Sequence, residues 1–464
     1  MNRVVVVGGG PGGYEAALVA AQLGADVTVV DSDGLGGSAV VTDCVPSKTL
    51  VATAELMADM EESDELGLTI GAPGPEDDNL GVDLAKVNAR VKHLAGAQST
   101  DIGRRLADDG IRVVAGRGRL DGPHRVVATL PDGSEQTLEG DAVLLATGAA
   151  PRTLARARPD GERILTWEQV YDLNEVPERL VVVGSGVTGA EFASAYNALG
   201  VEVTLVSSRD RVLPGEDADA AEVIEEVFNR RGMTVLSRSR MESVSRSGNS
   251  VTVTLTDGRV VEGSHCLLAL GSVPKTSDMG LEESGVRLDD DGFVGVDRVS
   301  RTSARGVYSA GDCTGVLMLA SVAAMQGRIA MWHFLGDAVS PLDLKTVSSN
   351  VFTAPEIATV GWSQNAVDAG EIEAETVMLP LSGNARAKMQ GVRDGFVKLF
   401  ARPGTGIIVG GVVVGPRASE LIYPVALAVS ESLTADAMAH AFTVYPSMSG
   451  SVAEAARRLH RVKA

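Results

Sequence analysis

The stretch VVVVGGGPGGYEAALVAAQLGADVTVVD, residues 4–31, decides the fold of this chain. A run of valines meets a glycine-rich turn, a helical pattern of small residues follows, and a second β-branched run ends in an acid. Gly8 allows the tight turn, Gly10 lets the backbone approach a pyrophosphate, and Gly13 lets the helix pack on the strand. Asp31 is placed to hydrogen-bond the ribose hydroxyls of an adenosine. The stretch therefore predicts a strand–helix–strand dinucleotide site, the first glycine motif.

The same pattern returns at residues 180–208, LVVVGSGVTGAEFASAYNALGVEVTLVSS. Gly184, Gly186 and Gly189 take the three glycine roles, so this second glycine motif predicts a second dinucleotide. Two further segments, AVLLATGAAPR at 142–152 and GVYSAGDCTG at 306–315, each look like a strand that runs into a turn of small residues. Close approach of backbone to a bulky cofactor needs such turns. The alternative, that both glycine turns merely connect strands of an α/β domain, explains less of this pattern.

Composition excludes several classes of protein. The 464 residues are 44 % apolar, which predicts two or three globular domains. A net charge of -20 opposes general affinity for nucleic acid or anionic lipid. The first apolar run stops at Gly8 and later runs are short or broken by glycine, so we expect neither a signal peptide nor a membrane span. The histidines show no ligand spacing, which predicts no metal site, and residues 71–81 are predicted to form a solvated surface loop.

Cysteine usage points to a reducing compartment. Only Cys44, Cys266 and Cys313 occur, too few and too scattered for a disulfide framework, so a cytoplasmic location is the expectation. Cys266 lies on an apparent strand and Cys313 follows an aspartate, and both are interpreted as small core residues.

Taken together, these motifs resemble the flavoprotein disulfide reductases, the family of dihydrolipoamide dehydrogenase and glutathione reductase, over essentially the whole chain. The resemblance implies an α/β fold with two Rossmann-like domains and a C-terminal α+β dimerisation domain, and hence a homodimer. It places an FAD domain at 1–151 and 275–345, an inserted NAD(P) domain at 152–274, and the dimerisation domain at 346–464. Apolar strand patterns at 395–400 and 406–414 and a helical pattern from Ala418 to Ser430 are consistent with the last.

The resemblance also implies the cofactors, FAD on the first glycine motif and NAD(P)H on the second. The residues expected to bind FAD are Gly8, Gly10, Pro11, Gly13, Asp31, Lys48, Thr147, Gly148, Gly311, Asp312 and Ala320. Of these, Asp312 would hold the ribityl chain of the flavin. The residues expected to bind NAD(P)H are Gly184, Gly186, Gly189, Ser207, Arg209 and Gly271.

The disulfide chemistry of that family is broken in this chain. Family members begin a helix near the flavin with two cysteines separated by four residues, but the segment GGSAVVTDCVPSK has Ala39 at the first position and Cys44 at the second. Near the C-terminus the family carries His-Pro and a glutamate four residues after the proline, where this chain has Tyr445 and Gly450. A phenol is a poor general base at neutral pH, and glycine cannot orient a partner. Lipoamide or glutathione turnover is therefore a poor hypothesis.

Groups that suit direct hydride transfer remain. Lys48 and Glu191 match the family's ion pair beside the flavin, where a lysine stabilises charge on the reduced ring. The alternative is a solvated lysine and a helix-surface glutamate. Cys44 lies near a predicted helix N-terminus, where the pKa of a thiol is depressed, so we expect it to contact the flavin as a thiolate without turning over. Tyr445 could stack on or hydrogen-bond to a planar acceptor.

The second glycine motif ends in Ser207, Ser208 and Arg209 rather than in an acid. Without a carboxylate to repel a 2′-phosphate, NADPH should be accepted and somewhat preferred, with NADH also used. If Arg209 and Arg211 are merely exposed loop residues, NADH would serve equally well. The losses at positions 39, 445 and 450 match the NAD(P)H:quinone reductase branch of the family, which implies a small-molecule quinone as acceptor. The alternatives are a soluble pyridine-nucleotide transhydrogenase and a non-catalytic flavoprotein sensor that oxidises Cys44.

Overall fold

The computed structural model describes residues 1–61, 63 and 81–460, so residues 71–80 of the predicted surface loop lie outside the description. The chain divides into two compact units. Unit 1 consists of Met1–Thr49, Lys86–Arg152 and Leu270–Asp343. Unit 2 consists of Leu50–Ala85, Thr153–Ala269 and Leu344–Ala464. Each unit is therefore assembled from segments that are distant in sequence.

In chain order, the strands are β1 (Arg3–Val7), β2 (Asp26–Asp31), β3 (Arg112–Ala115), β4 (Arg117–Leu120), β5 (Arg125–Thr129), β6 (Glu135–Glu139), β7 (Ala142–Leu145), β8 (Ala149–Pro151), β9 (Ile164–Thr166), β10 (Arg179–Val183), β11 (Glu202–Val206), β12 (Thr234–Leu236), β13 (Met241–Ser247), β14 (Ser250–Leu255), β15 (Val260–Gly263), β16 (His265–Leu268), β17 (Ser272–Pro274), β18 (Val307–Ser309), β19 (Ser348–Val351), β20 (Glu356–Gly361), β21 (Glu375–Pro380), β22 (Phe396–Ala401) and β23 (Ile408–Gly415). The helices are α1 (Pro11–Gln22), α2 (Gly37–Val41), α3 (Cys44–Glu61), α4 (Leu84–Asp108), α5 (Val187–Ala198), α6 (Ala218–Arg230), α7 (Ala320–Leu335), α8 (Gln364–Asp368), α9 (Ala385–Met389), α10 (Ala418–Leu421), α11 (Tyr423–Ser430), α12 (Ala435–His440) and α13 (Gly450–Leu459).

Unit 1 is built on a parallel sheet with strand order β18-β7-β1-β2-β3. The valines of β1 are buried because helices and a second layer cover both faces of the sheet, as in doubly wound folds. Helices α1 and α7 cross at a point where each helix has a glycine. A Cβ on Gly327 of α7 would lie 2.1 Å from the carbonyl oxygen of Gly12 in α1. Small residues thus let α7 pack directly on the helix that opens the first glycine motif.

Unit 2 contains two five-stranded sheets. The first has the order β12-β11-β10-β16-β9 and is parallel, with α5 joining β10 to β11. The second has the order β19-β20-β23-β22-β21 and is antiparallel. Helices α10 to α13 supply part of its core. These two sheets and the sheet of unit 1 confirm the predicted fold class. The domain limits given from the sequence stay predictions.

One local prediction was wrong in detail. The helical pattern from Ala418 to Ser430 is divided at Ile422 into α10 and α11. Pro424 stands at the second position of α11 and has no N–H to donate to the preceding turn. The proline therefore ends one helix and begins the next.

Candidate active site

Two of the three glycines in the first glycine motif have no room for a side chain. Gly8 has a φ of 104°, and a Cβ there would lie 2.2 Å from the Ala146 carbonyl oxygen. A Cβ on Gly13 would lie 1.8 Å from the Gly8 carbonyl oxygen. A Cβ on Gly10 would have Gly37 Cα as its nearest protein neighbour, at 3.8 Å, so the backbone there is open. The turn thus packs against Ala146 at Gly8 and on itself at Gly13, and it offers open backbone at Gly10, as a pyrophosphate requires.

The Asp31 carboxylate closes this turn from the end of β2. Its Oδ2 accepts a hydrogen bond from Gly9 N at 2.6 Å, and its Oδ1 accepts from Asp33 N at 3.0 Å and Gly34 N at 2.7 Å. Because a carboxylate has about four lone-pair sites, Asp31 can still accept from ribose hydroxyls. Its predicted role is therefore compatible with its structural one.

A cavity of about 520 Å³ in unit 1 brings most of the predicted FAD residues together. Its lining includes Gly8, Gly10, Pro11, Asp31, Cys44, Thr147, Gly148, Gly311, Asp312 and Ala320. Gly13 lies behind the turn, and Lys48 is half-buried one helical turn beyond Cys44 in α3. The missing Cβ atoms and the shared cavity fit a dinucleotide such as FAD, as the sequence predicted.

Two further residues that sequence analysis did not single out shape the cavity. Asp43 lines it beside Cys44, and its adjacency to that cysteine was the available signal. Burial raises the pKa of Asp312 to about 6, and the nearby Asp43 carboxylate contributes to the increase. Gln326 on α7 is buried and accepts a hydrogen bond from Gly311 N at 2.8 Å, which fixes the turn before Asp312. The Asp312 carboxyl is thus held at the cavity wall, where it suits an acceptor for ligand hydroxyls.

The three cysteines occupy different environments, and none is in a disulfide. Cys44 is the first residue of α3 and lines the cavity together with Ala39 of α2. Cys266 and Cys313 have no exposed surface, which confirms their interpretation as core residues. Burial raises the pKa of both buried thiols. Of the three cysteines, Cys44 is therefore the one that lines this cavity.

The second glycine motif repeats the geometry of the first. Gly184 has a φ of 111°, and a Cβ there would lie 2.1 Å from the Ala269 carbonyl oxygen. A Cβ on Gly189 would lie 1.8 Å from the Gly184 carbonyl oxygen, whereas a Cβ on Gly186 would meet no atom of the described residues within 4 Å. Each motif thus forms a diphosphate cradle, a tight glycine turn with open backbone at its middle glycine, and the cradle of the second motif lies in unit 2. Gly271 belongs to unit 1, where it is an exposed glycine with a φ of 83°.

The structure changes the role expected of Ser207. Its side chain has no exposed surface, and its hydroxyl oxygen lies 2.7 Å from that of Ser185, between the first two glycines of the motif. The same oxygen accepts a hydrogen bond from Arg209 N at 3.1 Å. A buried hydroxyl cannot reach a nucleotide without displacement, so we revise the predicted direct contact to a positioning one. Arg209 itself is exposed on the loop that Ser207 anchors.

Glu191 and Tyr445, two predicted catalytic residues, lie in contrasting settings. Glu191 is 4 % exposed, so the helix-surface alternative is wrong. Its Oε1 accepts a hydrogen bond from Phe352 N at 2.9 Å, within unit 2. Tyr445 is 86 % exposed and is followed by a cis peptide bond to Pro446, and Gly450 is the first residue of α13. Pairing of Glu191 with Lys48 stays a prediction.

Comparison with protein families decides the family of this chain. Residues 2–327 match the family described as pyridine nucleotide-disulphide oxidoreductase, and residues 347–456 match its dimerisation domain. The chain belongs to the pyridine nucleotide-disulphide oxidoreductase family. This family uses FAD and NAD(P)H, which agrees with the two cradles described above.

Individual relatives of this oxidoreductase span nearly its whole length. The NAD(P)H dehydrogenase (quinone) of Mycobacterium tuberculosis is 56 % identical over 99 % of this chain and 94 % of its own length. A dihydrolipoyl dehydrogenase of Chlorobaculum tepidum is 34 % identical over 98 % of this chain and 96 % of its own length. The crystal structure of LpdA from Mycobacterium tuberculosis superposes with a TM-score of 0.95 at 55 % identity, covering 99 % of this chain and all of that one. In the described residues, no helix is both long and apolar enough to cross a membrane, and no cluster of acidic, histidine or cysteine side chains has the form of a metal site.

Proposed function

We propose that this oxidoreductase transfers hydride from NAD(P)H through FAD to a quinone, without a redox disulfide. The observation that carries the proposal is that Cys44 and Ala39 line the cofactor cavity, with alanine at the position where a second cysteine would be needed for a disulfide. A disulfide relay needs two sulfurs, whereas a quinone takes electrons without a thiol nucleophile. The name of the 56 % identical relative, NAD(P)H dehydrogenase (quinone), supports the same reaction.

The residues of this chain would divide the work between binding and charge stabilisation. Bound FAD would supply the hydride-accepting ring. The amides of the turn at Gly10 would hold its diphosphate, Asp31 would accept from the adenosine ribose, and Asp312 would accept from the ribityl hydroxyls. Lys48, with Glu191 as its partner, would place positive charge near the reduced ring. Cys44 would contact the ring from the N-terminus of α3, where the helix dipole favours a thiolate.

We further propose that the working form is a homodimer. The segment before α13 exposes apolar surface that water does not favour: Phe442 is fully exposed, Val444 is 77 % exposed and Tyr445 is 86 % exposed. A match to the family's dimerisation domain supports a second copy of this chain as the cover. In that assembly Tyr445 would meet the acceptor at the partner's flavin. A cytoplasmic location is also proposed, because none of the three cysteines is in a disulfide.

One experiment tests the reaction. The purified holoenzyme is reduced with NADPH in the absence of oxygen and then offered menadione, lipoamide or thio-NAD⁺, while the flavin absorbance is followed. We expect rapid reoxidation by menadione alone. Rapid reoxidation by lipoamide would contradict the proposal, and transfer chiefly to thio-NAD⁺ would favour a transhydrogenase. A flavin that NADPH does not reduce would favour a redox sensor.

A further inference from the structure

Two loops of unit 2 meet at the carboxyl ends of β11 and β12. The first follows β11 and holds Arg209, and the second follows β12 and holds Arg238. Their backbones remain paired beyond the strands: Arg238 N donates to Arg209 O at 2.8 Å, and Ser239 N donates to Ser207 O at 2.7 Å. The carboxyl ends of parallel strands are where nucleotides bind in folds of this kind. Arg238 is thus fixed beside the loop that closes the second glycine motif.

The same loop is tied to the glycine turn itself. Ser207 and Ser185 share a hydrogen bond between their hydroxyls, and Leu213 N donates to Ser185 O at 2.8 Å. Because Ser185 lies inside the Gly184–Gly186 turn, the arginine loop and the diphosphate cradle are held in one arrangement. A nucleotide seated in the cradle would therefore present its ribose to a loop of defined position.

An acid in this loop works against a 2′-phosphate. Asp210 stands between Arg209 and Arg211, four residues after the end of β11, and a carboxylate near the ribose repels that phosphate. Arg238 Nε donates to Asp210 Oδ1 at 2.8 Å, and both side chains are 79 % exposed. Arg238 also has a φ of 53°, a conformation uncommon for residues other than glycine. In this conformation the guanidinium of Arg238 contacts the Asp210 carboxylate.

We propose that Arg238 determines specificity for NADPH by neutralising Asp210 and by offering its remaining N–H groups to the 2′-phosphate. A guanidinium has five N–H donors, and the contact with Asp210 uses only Nε. An exposed ion pair is weakly held, so the guanidinium stays available to a doubly charged phosphate. The inference rests on the proposed function, because it assigns a residue to the pyridine-nucleotide site in unit 2.

The test compares two probes that differ only in the 2′-phosphate. Calorimetry on the holoenzyme measures the dissociation constants of 2′,5′-ADP and 5′-AMP for the wild type, Arg238→Ala and Arg246→Ala. Arg246 is the matched control, since its guanidinium pairs with Asp160 and Glu162, which lie outside both loops. We expect Arg238→Ala to weaken 2′,5′-ADP about tenfold or more and to change 5′-AMP less than about twofold. Arg246→Ala should change neither.

A double variant separates the two parts of the proposal. Adding Asp210→Asn to Arg238→Ala removes the uncovered negative charge, so 2′,5′-ADP affinity should recover in part. Equal weakening of both probes by Arg238→Ala, or no weakening, would overturn the inference alone. A wild-type protein that bound neither probe would instead overturn the proposed nucleotide site, and the inference with it.

Discussion

The ammonium of Lys398 lies 2.8 Å from each carboxylate oxygen of Asp217, and both side chains are only 2 % exposed. Lys398 is in β22, and Asp217 caps α6 by accepting hydrogen bonds from Asp219 N and Ala220 N. A second acid, Asp219, also contacts the ammonium and reaches solvent. The pair therefore joins the antiparallel sheet of unit 2 to α6, which packs with the parallel sheet of the same unit. Because both side chains are buried, their charges are stabilised by each other rather than by water.

Removing one member of this ion pair should destabilise the folded protein. Lys398→Met leaves the buried Asp217 carboxylate without its main counterion, so we expect a loss of about 3–5 kcal/mol in the free energy of unfolding of unit 2. Lys398→Met with Asp217→Asn should recover much of that loss, because asparagine keeps the helix cap without a charge. Urea denaturation monitored by circular dichroism provides the measurement. Lys388→Met, at an exposed lysine, is the control, and an equal effect from it would refute the argument.

Substitution of the packed and of the open glycine in the first motif should have different effects. Gly13→Ala forces α1 away from the Gly8 carbonyl, so the apoprotein itself should melt at a lower temperature. Gly10→Ala has room within the protein but occupies the space where a diphosphate would lie, so it should retain the melting temperature and lose FAD. Thermal melts and the FAD-to-protein ratio measure the two effects. Equal FAD content in Gly10→Ala and the wild type would show that the diphosphate lies elsewhere.

Asp312 should make the apoprotein less stable as pH rises. Its pKa in the folded state is about 6, above the ordinary value of 3.8, so the neutral form is favoured by the fold. The associated stability is complete below pH 4 and is lost as pH rises through about 6. Asp312→Asn should therefore stabilise the apoprotein at pH 8 by at most about 3 kcal/mol and leave pH 4 unchanged. Melting curves across this range test the sign, with the exposed Asp290→Asn as control.

Restoring the missing cysteine should restore a disulfide but not the disulfide-reductase reaction. Thr42 N and Asp43 N both donate to Ser38 O, so the chain turns back on itself between Ala39 and Cys44. Ala39→Cys should lose its new thiol and that of Cys44 together on mild oxidation, as counted by thiol titration after denaturation. Lipoamide turnover should stay at background, because Tyr445 and Gly450 still replace the acid–base pair. Adding Cys44→Ser should abolish the oxidation, and any lipoamide turnover gained would contradict the reasoning.

Glu191 combines a structural contact with a proposed charge. Glu191→Gln keeps an oxygen that can accept from Phe352 N, so the melting temperature should change little, while flavin reduction by NADPH slows about tenfold. Glu191→Ala leaves that N–H without its acceptor and should also lose about 1–3 kcal/mol of stability. Stopped-flow reduction and thermal melts separate the two variants. Wild-type reduction by Glu191→Gln would limit this residue to holding the backbone at Phe352.

Sequence alone predicted what depends on local pattern. The glycines, the strands around them and the position of Cys44 are written in consecutive residues, so both cradles and their order followed directly. It did not reveal the burial of Ser207, because the Ser185 hydroxyl that holds it lies 22 residues away. Nor did it reveal Arg238, which meets Asp210 only because β12 pairs with β11. Asp43 was overlooked because its effect on Asp312 depends on a turn from another part of the chain.

The open backbone at Gly10 and Gly186 has a consequence for evolution as well as for affinity. Peptide N–H groups carry no titratable proton, so attraction for a diphosphate should be nearly constant from acid to alkaline solution. Selection on such a chain can then act at the side chains around each diphosphate site, such as Asp31 at one nucleotide and Arg209 at the other. A scaffold of this kind can change its coenzyme or its acceptor while the hold on the shared diphosphate remains untouched.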